Sequence, residues 1–239
     1  MKYIDKSKYT APPAYTAELS AHQLDEHSIK TSPYWSLSSR VIFEKHVKKL
    51  NSFNSMKDSL LADQGYVCCY CNRRIGRKGF PVEHVIPKGT KKEWIGEYKN
   101  MLVSCQGGNP LPPAPPGGVS FTMATYEPHC DHAKGEDPIP VTPLMSDCED
   151  RFVYKISGKI TEKTGDTDAK TTIGILNLNQ RYLKIERRKE IRQRCYNKNG
   201  TLKSAKELEQ VFNDMFTKDS LGRYPNLYFV IANVIMGLI

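Results

Sequence analysis

The sequence has no apolar run long enough to cross a membrane. Its longest, LYFVIANVIMGLI at residues 227–239, has 13 residues, whereas a transmembrane helix needs about 20. The opening MKYIDKSKYTAPPAYTAELS has no apolar segment between a basic head and a cleavage site, so no signal peptide is predicted. We therefore expect a cytoplasmic protein without membrane contact, in which residues 227–239 form a buried helix or a docking surface.

Acidic residues are too few to balance the basic ones. The chain has 26 Asp and Glu against 35 Lys and Arg, a formal net charge of +9. Such a surplus indicates a polyanionic partner, most often nucleic acid, although a merely soluble basic protein shows it too. The 39% hydrophobic and 26% charged content of the 239 residues is typical of a globular chain with a sizeable core.

Seven cysteines in a chain without a secretion signal are expected to be reduced. Clustered thiols in such a chain are more often metal ligands than disulfides. Cys68 and Cys71 have the C-x-x-C spacing of a zinc knuckle, and Cys105 and Cys130 can complete a tetrahedral site. Because four thiolates leave no position for water, this zinc is predicted to be structural. The other cysteines are expected outside the site: Cys69, Cys148 and Cys195.

An acid and a histidine, Glu83 and His84, follow the knuckle in the short apolar segment PVEHVIP. Neighbours on a strand point to opposite faces, so the carboxylate can bind a hard divalent ion while the imidazole faces a water. Asp131 or His132, next to Cys130, can meet Glu83 across that second metal. The thiols are thus predicted to hold a small fold rigid while the acid–histidine pair performs chemistry.

The order of these motifs resembles that of HNH endonucleases. The motifs are Cys68-x-x-Cys71, Glu83-His84, Asn100, Cys105 and Cys130-Asp131-His132-x-Lys134-Gly135. The resemblance implies a ββα-metal fold, in which a β hairpin and a helix clasp one catalytic divalent ion and a four-cysteine zinc site joins them. The expected fold is therefore α+β: a mostly helical chain around a central ββα-metal HNH core with a four-cysteine zinc knuckle.

The same resemblance implies a role for each polar residue. Glu83 is similar to the first metal ligand, His84 to the general base, Asn100 to the residue that orients the base through its loop, and Lys134 to a trailing lysine that touches phosphate. The implied cofactors are structural Zn²⁺ and catalytic Mg²⁺ or Mn²⁺.

The chain departs from the HNH pattern near its last metal ligand. A Pro/Gly-rich insertion separates Cys105 from Cys130, and Asp131 follows the cysteine where many members have His or Asn. The last ligand is thus either Asp131 or His132. A rival alignment that uses Gly108-Asn109 lacks both the cysteine and the lysine.

Longer stretches of the chain resemble a narrower group. GYVCCYCNRRI, SCQGG, HCDHAKGED and TIGILNLNQRYLKIERRKEI are similar to segments of the HNH subunits of Septu anti-phage systems, the PtuB group, which includes retron-associated relatives. The resemblance implies a role in phage defence and an ATPase partner of the PtuA type. For retron-associated relatives it also implies a reverse transcriptase with its RNA–DNA.

The chain divides into three segments that we expect to form one compact unit. Residues 1–66 are predicted to be an N-terminal arm and helical segment, residues 67–140 the HNH and zinc core, and residues 141–239 a hairpin followed by helices. Ser32 and Pro33 predict a helix start, with a break near Ser52. The alternating apolar pattern of RFVYKISGKITEK predicts a hairpin around Ser157-Gly158.

Two groups of basic residues are candidates for nucleic-acid binding. One lies beside the knuckle and the other on a predicted helix at 181–198, which could equally be a solvated face or an acid-matching surface for a protein. The candidates are Arg73, Arg74, Arg77, Lys78, Arg187, Arg188 and Arg192.

The function that unites these features is metal-dependent hydrolysis of phosphodiester bonds, with DNA the expected substrate. The alternative is a non-catalytic zinc-knuckle adaptor that binds nucleic acid or protein. That alternative assigns no role to Glu83, His84, Asn100 and Asp131. A third possibility is a nuclease that is silent until a partner licenses it.

Overall fold

The computed structural model of the protein describes residues 1–76, 79–107 and 127–239. Arg77, Lys78 and the Gly108-Asn109 pair lie outside these residues. The described chain is a mixture of helices and two small antiparallel sheets, which agrees with the predicted α+β class. No described helix is both long and apolar enough to cross a membrane.

The secondary-structure elements are short. The helices are α1 (Pro13–Ala21), α2 (Ser39–Lys45), α3 (Phe53–Asp63), α4 (Asp131–Lys134), α5 (Thr167–Ile175), α6 (Arg181–Cys195), α7 (Ala205–Met215) and α8 (Tyr228–Met236). The strands are β1 (Val82–His84), β2 (Met101–Val103), β3 (Phe152–Tyr154) and β4 (Ile160–Glu162).

The β1–β2 pair places the acid and the histidine. The two strands are antiparallel, with Glu83 opposite Leu102 and His84 opposite Met101. The buried Gln64, just after α3, holds β2: its amide nitrogen donates to the Val103 carbonyl at 2.9 Å, and its amide oxygen accepts from the Val103 N–H at 2.7 Å. The end of helix α3 therefore fixes strand β2, which pairs with β1.

The knuckle forms a tight turn that reverses the chain. Cys68 N–H donates to the Arg73 carbonyl at 2.8 Å, and Val67 pairs with Arg74 in an isolated bridge. Asn72 adopts a φ of +60°, a left-handed conformation that Asn tolerates better than most residues. The Leu227 N–H donates to the Asn72 carbonyl at 3.0 Å, so the start of α8 packs on the back of the knuckle.

The predicted helix start at Ser32–Pro33 is wrong. The Ser32 hydroxyl donates to the Ile29 carbonyl at 2.7 Å and accepts from the Tyr34 N–H at 3.2 Å, so the chain turns there instead. Helix α2 begins six residues later, where the Ser38 side chain accepts from the Val41 N–H at 3.3 Å. The predicted break near Ser52 is confirmed, because α3 begins at Phe53.

The C-terminal segment contains the predicted hairpin and a buried last helix. Strands β3 and β4 pair around the Ser157-Gly158 turn. Gly158 has a φ of +82°, and a Cβ there would lie 2.1 Å from the Lys184 carbonyl oxygen, so only glycine lets the turn pack on α6. Most side chains of α8 are buried, as expected for a buried helix.

Candidate metal centre and acid–histidine site

Four cysteine thiols converge on one point. The Sγ atoms of Cys68, Cys71, Cys105 and Cys130 all lie within 4.8 Å of one another, and those of Cys71 and Cys105 are 3.8 Å apart. A tetrahedral zinc with Zn–S bonds of about 2.3 Å requires sulfurs about 3.8 Å apart. The donor set and its spacing therefore fit a metal such as zinc. The predicted cluster is brought together from positions 62 residues apart in sequence.

Three parts of the backbone hold the four cysteines. Cys68 and Cys71 lie in the knuckle turn, Cys105 follows β2, and Cys130 precedes α4 with a φ of +56°. The Cys130 N–H donates to the Leu176 carbonyl at 2.9 Å, which ties the last ligand to the end of α5. Burial opposes a charge on Cys68, but hydrogen bonds from the Cys105 and Cys130 thiols lower its pKa well below the usual range.

The other three cysteines lie outside the four-thiol cluster, as expected for Cys69, Cys148 and Cys195. His129 lies beside the cluster: its Nδ1 is 3.2 Å from the Cys130 Sγ. Burial lowers the pKa of His129 to about 4, so its ring is neutral at physiological pH.

Glu83 lies at the centre of a buried polar network. Only 2% of its surface is exposed. The Tyr70 hydroxyl donates to Glu83 Oε1 at 2.7 Å, and the Lys134 Nζ lies 2.9 Å from the same oxygen. Burial, followed by a hydrogen bond and charge repulsion from Asp131, raises the pKa of Glu83 to about 8. Burial and the neighbouring Asp131 carboxyl outweigh the Lys134 ammonium, so the pair of carboxyl groups favours a further cation.

This pair of carboxylates is the donor set that a hard divalent cation prefers. Mg²⁺ is commonly bound by one or two carboxylates and keeps several waters. Asp131, at the start of α4, is the residue that meets Glu83, whereas His132 is exposed. Among the described residues no third His, Cys, Asp or Glu joins Glu83 and Asp131 in a cluster. The residues present therefore fit a metal with two protein ligands.

Lys134 does not lie where a phosphate could reach it. Its side chain is about 1% exposed, and its Nζ also donates to the His84 carbonyl at 3.2 Å. The expected phosphate contact of Lys134 is thus corrected to an internal one. The ammonium contacts Glu83 Oε1 and the His84 carbonyl and ties α4 to β1.

His84 is held with one ring nitrogen occupied and the other without a partner. Its Nε2 lies 2.9 Å from the Ile95 carbonyl oxygen. Because a carbonyl only accepts, Nε2 bears the proton and Nδ1 presents a lone pair. Nδ1 is buried and has no hydrogen-bond partner among the described residues. Burial lowers the pKa of His84 to about 3, so the ring is neutral.

Asn100 clamps the loop that begins after His84. Its Oδ1 accepts from the Ile86 N–H at 2.8 Å, and its Nδ2 donates to the Ile86 carbonyl at 3.0 Å. The Asn100 carbonyl also accepts from the Val85 N–H at 3.0 Å. The residue thus fixes both ends of the loop that contains Ile95, the partner of His84.

The basic candidates separate by environment. Arg187 is 1% exposed, and its guanidinium donates to the Gly158 and Leu178 carbonyls at 3.0 and 2.7 Å. Its assignment to a nucleic-acid surface is therefore corrected, because it holds the hairpin turn against α6. Arg73 is paired with Glu186 at 2.6 Å, and Arg74 donates to the Tyr224 carbonyl at 2.6 Å. Of the candidates on α6, Arg188 and Arg192 are exposed.

Sequence reasoning missed Tyr70. It lies between two knuckle cysteines, and its hydroxyl contacts Glu83, which ties the thiol cluster to the acid–histidine pair through one residue. A buried tyrosine needs a partner for its hydroxyl, but the sequence does not indicate which one.

This combination of a four-thiol cluster with a buried acid–histidine pair on a β hairpin is the one expected for an HNH-like protein. No protein-family model matches the chain. Among curated proteins, "Retron Vc95 putative HNH endonuclease" from Vibrio cholerae serotype O1 biovar El Tor is 25% identical over 177 residues, which are 71% of this chain and 77% of the relative.

A second relative is the Septu protein PtuB from Bacillus thuringiensis. It is 30% identical over 129 residues, 52% of this chain but only 41% of PtuB, so the chain spans less than half of that relative. The predicted resemblance to an HNH-like family similar to PtuB is confirmed by both relatives, at modest identity.

Proposed function

We propose that the protein is a metal-dependent HNH endonuclease that hydrolyses phosphodiester bonds of DNA. The observation on which this rests is the Glu83–Asp131 carboxyl pair, next in sequence to a neutral histidine whose Nδ1 has no hydrogen-bond partner among the described residues. The hairpin β1–β2 with the short helix α4 is the proposed ββα-metal core.

His84 is the proposed general base. With Nε2–H donating to Ile95, Nδ1 is the nitrogen able to take a proton from an attacking water. Burial holds the pKa of His84 well below 7, so Nδ1 is unprotonated at physiological pH. The proton acquired at Nδ1 is later returned to solvent.

Glu83 and Asp131 would hold the catalytic Mg²⁺ or Mn²⁺, which supplies Lewis-acid stabilisation of the phosphoryl oxygen and the leaving 3′ oxygen. The Tyr70 hydroxyl and the Lys134 ammonium fix Glu83 Oε1. Asn100 fixes the conformation of the loop that follows His84. These contacts are formed before substrate arrives, so little reorganisation is needed at the moment of reaction.

The four thiolates are proposed to bind a structural zinc and have no direct part in the chemistry. Through the shared metal, the four cysteines would hold the knuckle with Tyr70 against the hairpin, which Cys105 follows, and against α4, which Cys130 precedes. This division of labour answers why a thiol cluster lies next to the acid–histidine pair.

The biological setting is proposed from the relatives. A Septu protein and a retron-associated protein favour an effector of anti-phage defence. Its proposed partners are an ATPase of the PtuA type and, in a retron setting, a reverse transcriptase with its RNA–DNA. An enzyme of this kind can remain silent until its partner licenses it.

The direct test is cleavage of supercoiled plasmid by the purified protein with Mg²⁺, Mn²⁺ or EDTA, with and without the ATPase partner. A nuclease cleaves the plasmid only in the presence of the divalent ion. The Glu83→Gln variant should no longer cleave it. An adaptor binds DNA equally in EDTA and never cuts. Silence of the protein with its partner, towards DNA and RNA alike, would reject the nuclease.

A further inference from the structure

A cleft of about 830 Å³ opens beside the proposed metal ligands. It contains residues from three parts of the chain: α2, the β1 region and α4. The charged or titratable residues of the lining are Arg40, Lys88, Asp131, His132 and Glu136.

Arg40 differs from the other cations of this cleft because its guanidinium has no partner among the described residues. The side chain is exposed, and no hydrogen bond, ion pair or ring contact involves it within residues 1–76, 79–107 and 127–239. Lys88, in contrast, reaches Glu136 at 3.1 Å, an acid that is 60% exposed at the rim. Such an exposed pair is weak and easily exchanged for a phosphate.

Helix α2 is fixed directly to the proposed base. Phe43 packs its ring edge-on against His84, with centroids 4.7 Å apart. Arg40 precedes Phe43 by three positions and therefore lies next to it on the helix surface. The Lys88 ammonium lies 5.7 Å from the same Phe43 ring. Arg40, by its helix position, and Lys88, by its ring contact, are thus both neighbours of Phe43, the side chain that packs on His84.

We propose that this cleft receives the DNA backbone, and that Arg40, assisted by Lys88, grips a phosphate next to the scissile bond. The inference rests on the proposed function and adds a positioning residue outside the hairpin and α4. An arginine fork matches phosphate oxygens in a bidentate manner. The N-terminal segment thereby becomes part of the substrate site.

The test measures DNA binding separately from cutting. The wild-type protein without added Mg²⁺ or Mn²⁺ serves as a background that cannot cut, and anisotropy of a labelled duplex is recorded over a range of salt concentrations. Arg40→Ala is compared with Lys45→Ala, which removes the same charge from the same helix. Lys45 is exposed and lies about 140° around the helix from Arg40.

Arg40→Ala should weaken binding about tenfold, as expected for a hydrogen bond to a charged group, and lower the salt slope by about 1. Lys45→Ala should stay within about twofold of the background. Arg40→Lys should recover only part of the affinity because it keeps the charge and loses the fork.

Equal losses in Arg40→Ala and Lys45→Ala would overturn the inference, because Arg40 would then contribute only net charge. Absence of DNA binding by the background protein would overturn it too. If the wild-type protein never cuts but Arg40→Ala still loses binding selectively, the cleft assignment holds and the proposed nuclease fails.

Discussion

Tyr70 shows how a single side chain joins the thiol cluster to the acid. It lies between Cys69 and Cys71, and its hydroxyl donates to Glu83 Oε1 at 2.7 Å. A tyrosine hydroxyl in this place cannot be replaced by water, because both residues are buried. The orientation of Glu83 therefore depends on the shape of the knuckle.

Tyr70→Phe should keep the zinc and the fold but slow DNA cleavage about tenfold, because small displacements of a positioned group are costly. Zinc content, thermal unfolding and single-turnover rates are measured together. Tyr154→Phe is the matched control, since its buried hydroxyl contacts the Met1 amino group at 2.6 Å instead. Equal rates in the two variants would show that Tyr70 is only a packing residue.

Arg187 shows where charge counting along a sequence misleads. Leu183, Arg187, Ile191 and Cys195 are the buried residues of α6, and they recur every four positions. That spacing marks one helix face, so the sequence itself contained the signal that Arg187 faces the core. The many basic residues around Arg187 in the sequence favoured the assignment to a charged surface instead.

Arg187→Met should lower the free energy of unfolding by about 2 to 4 kcal/mol, because two buried carbonyls lose their charged donor. Denaturant unfolding measures the change. Arg188→Met, on the exposed neighbour, should change stability by less than about 0.5 kcal/mol. A similar small change in Arg187→Met would refute the structural role assigned to it.

At the scale of elements, local patterns predicted those that depend on contacts near in sequence. The β3–β4 hairpin and α8 form where the turn residues and the apolar run place them. The start of α2 differs because Ser32 bonds to its own turn. The meeting of Glu83 with Tyr70, Asp131 and Lys134 depends on contacts across up to 51 positions, which no local pattern encodes.

The knuckle is the element on which the others depend. Cys71→Ser should lose bound zinc and unfold the region around β1, because metal binding contributes folding free energy in such sites. Zinc per chain, by elemental analysis, should fall from about one to near zero. Cys195→Ser, which removes a buried thiol outside the cluster, should retain it. Full zinc in both variants would exclude the four-thiol site.

At the scale of the whole molecule, segments distant in sequence meet at the hairpin. Tyr15 of α1 donates to the Gly96 carbonyl at 2.9 Å, and the Tyr224 N–H donates to the Gly65 carbonyl at 3.0 Å. The loop bearing Ile95 and the approach to the knuckle are thus each held from outside. The two flanking segments therefore stabilise the site and do not merely extend from it.

The central claim is that a rigid frame presents His84 as a base, and one measurement tests it most directly. Single-turnover cleavage of a labelled DNA duplex, under the metal and partner conditions that activate the wild-type protein, is compared for His84→Ala and His22→Ala. His22 is exposed and distant in sequence. We expect His84→Ala to lose at least about 100-fold in rate, with zinc content unchanged, and His22→Ala to match the wild type. Cleavage by His84→Ala at the wild-type rate would contradict the account.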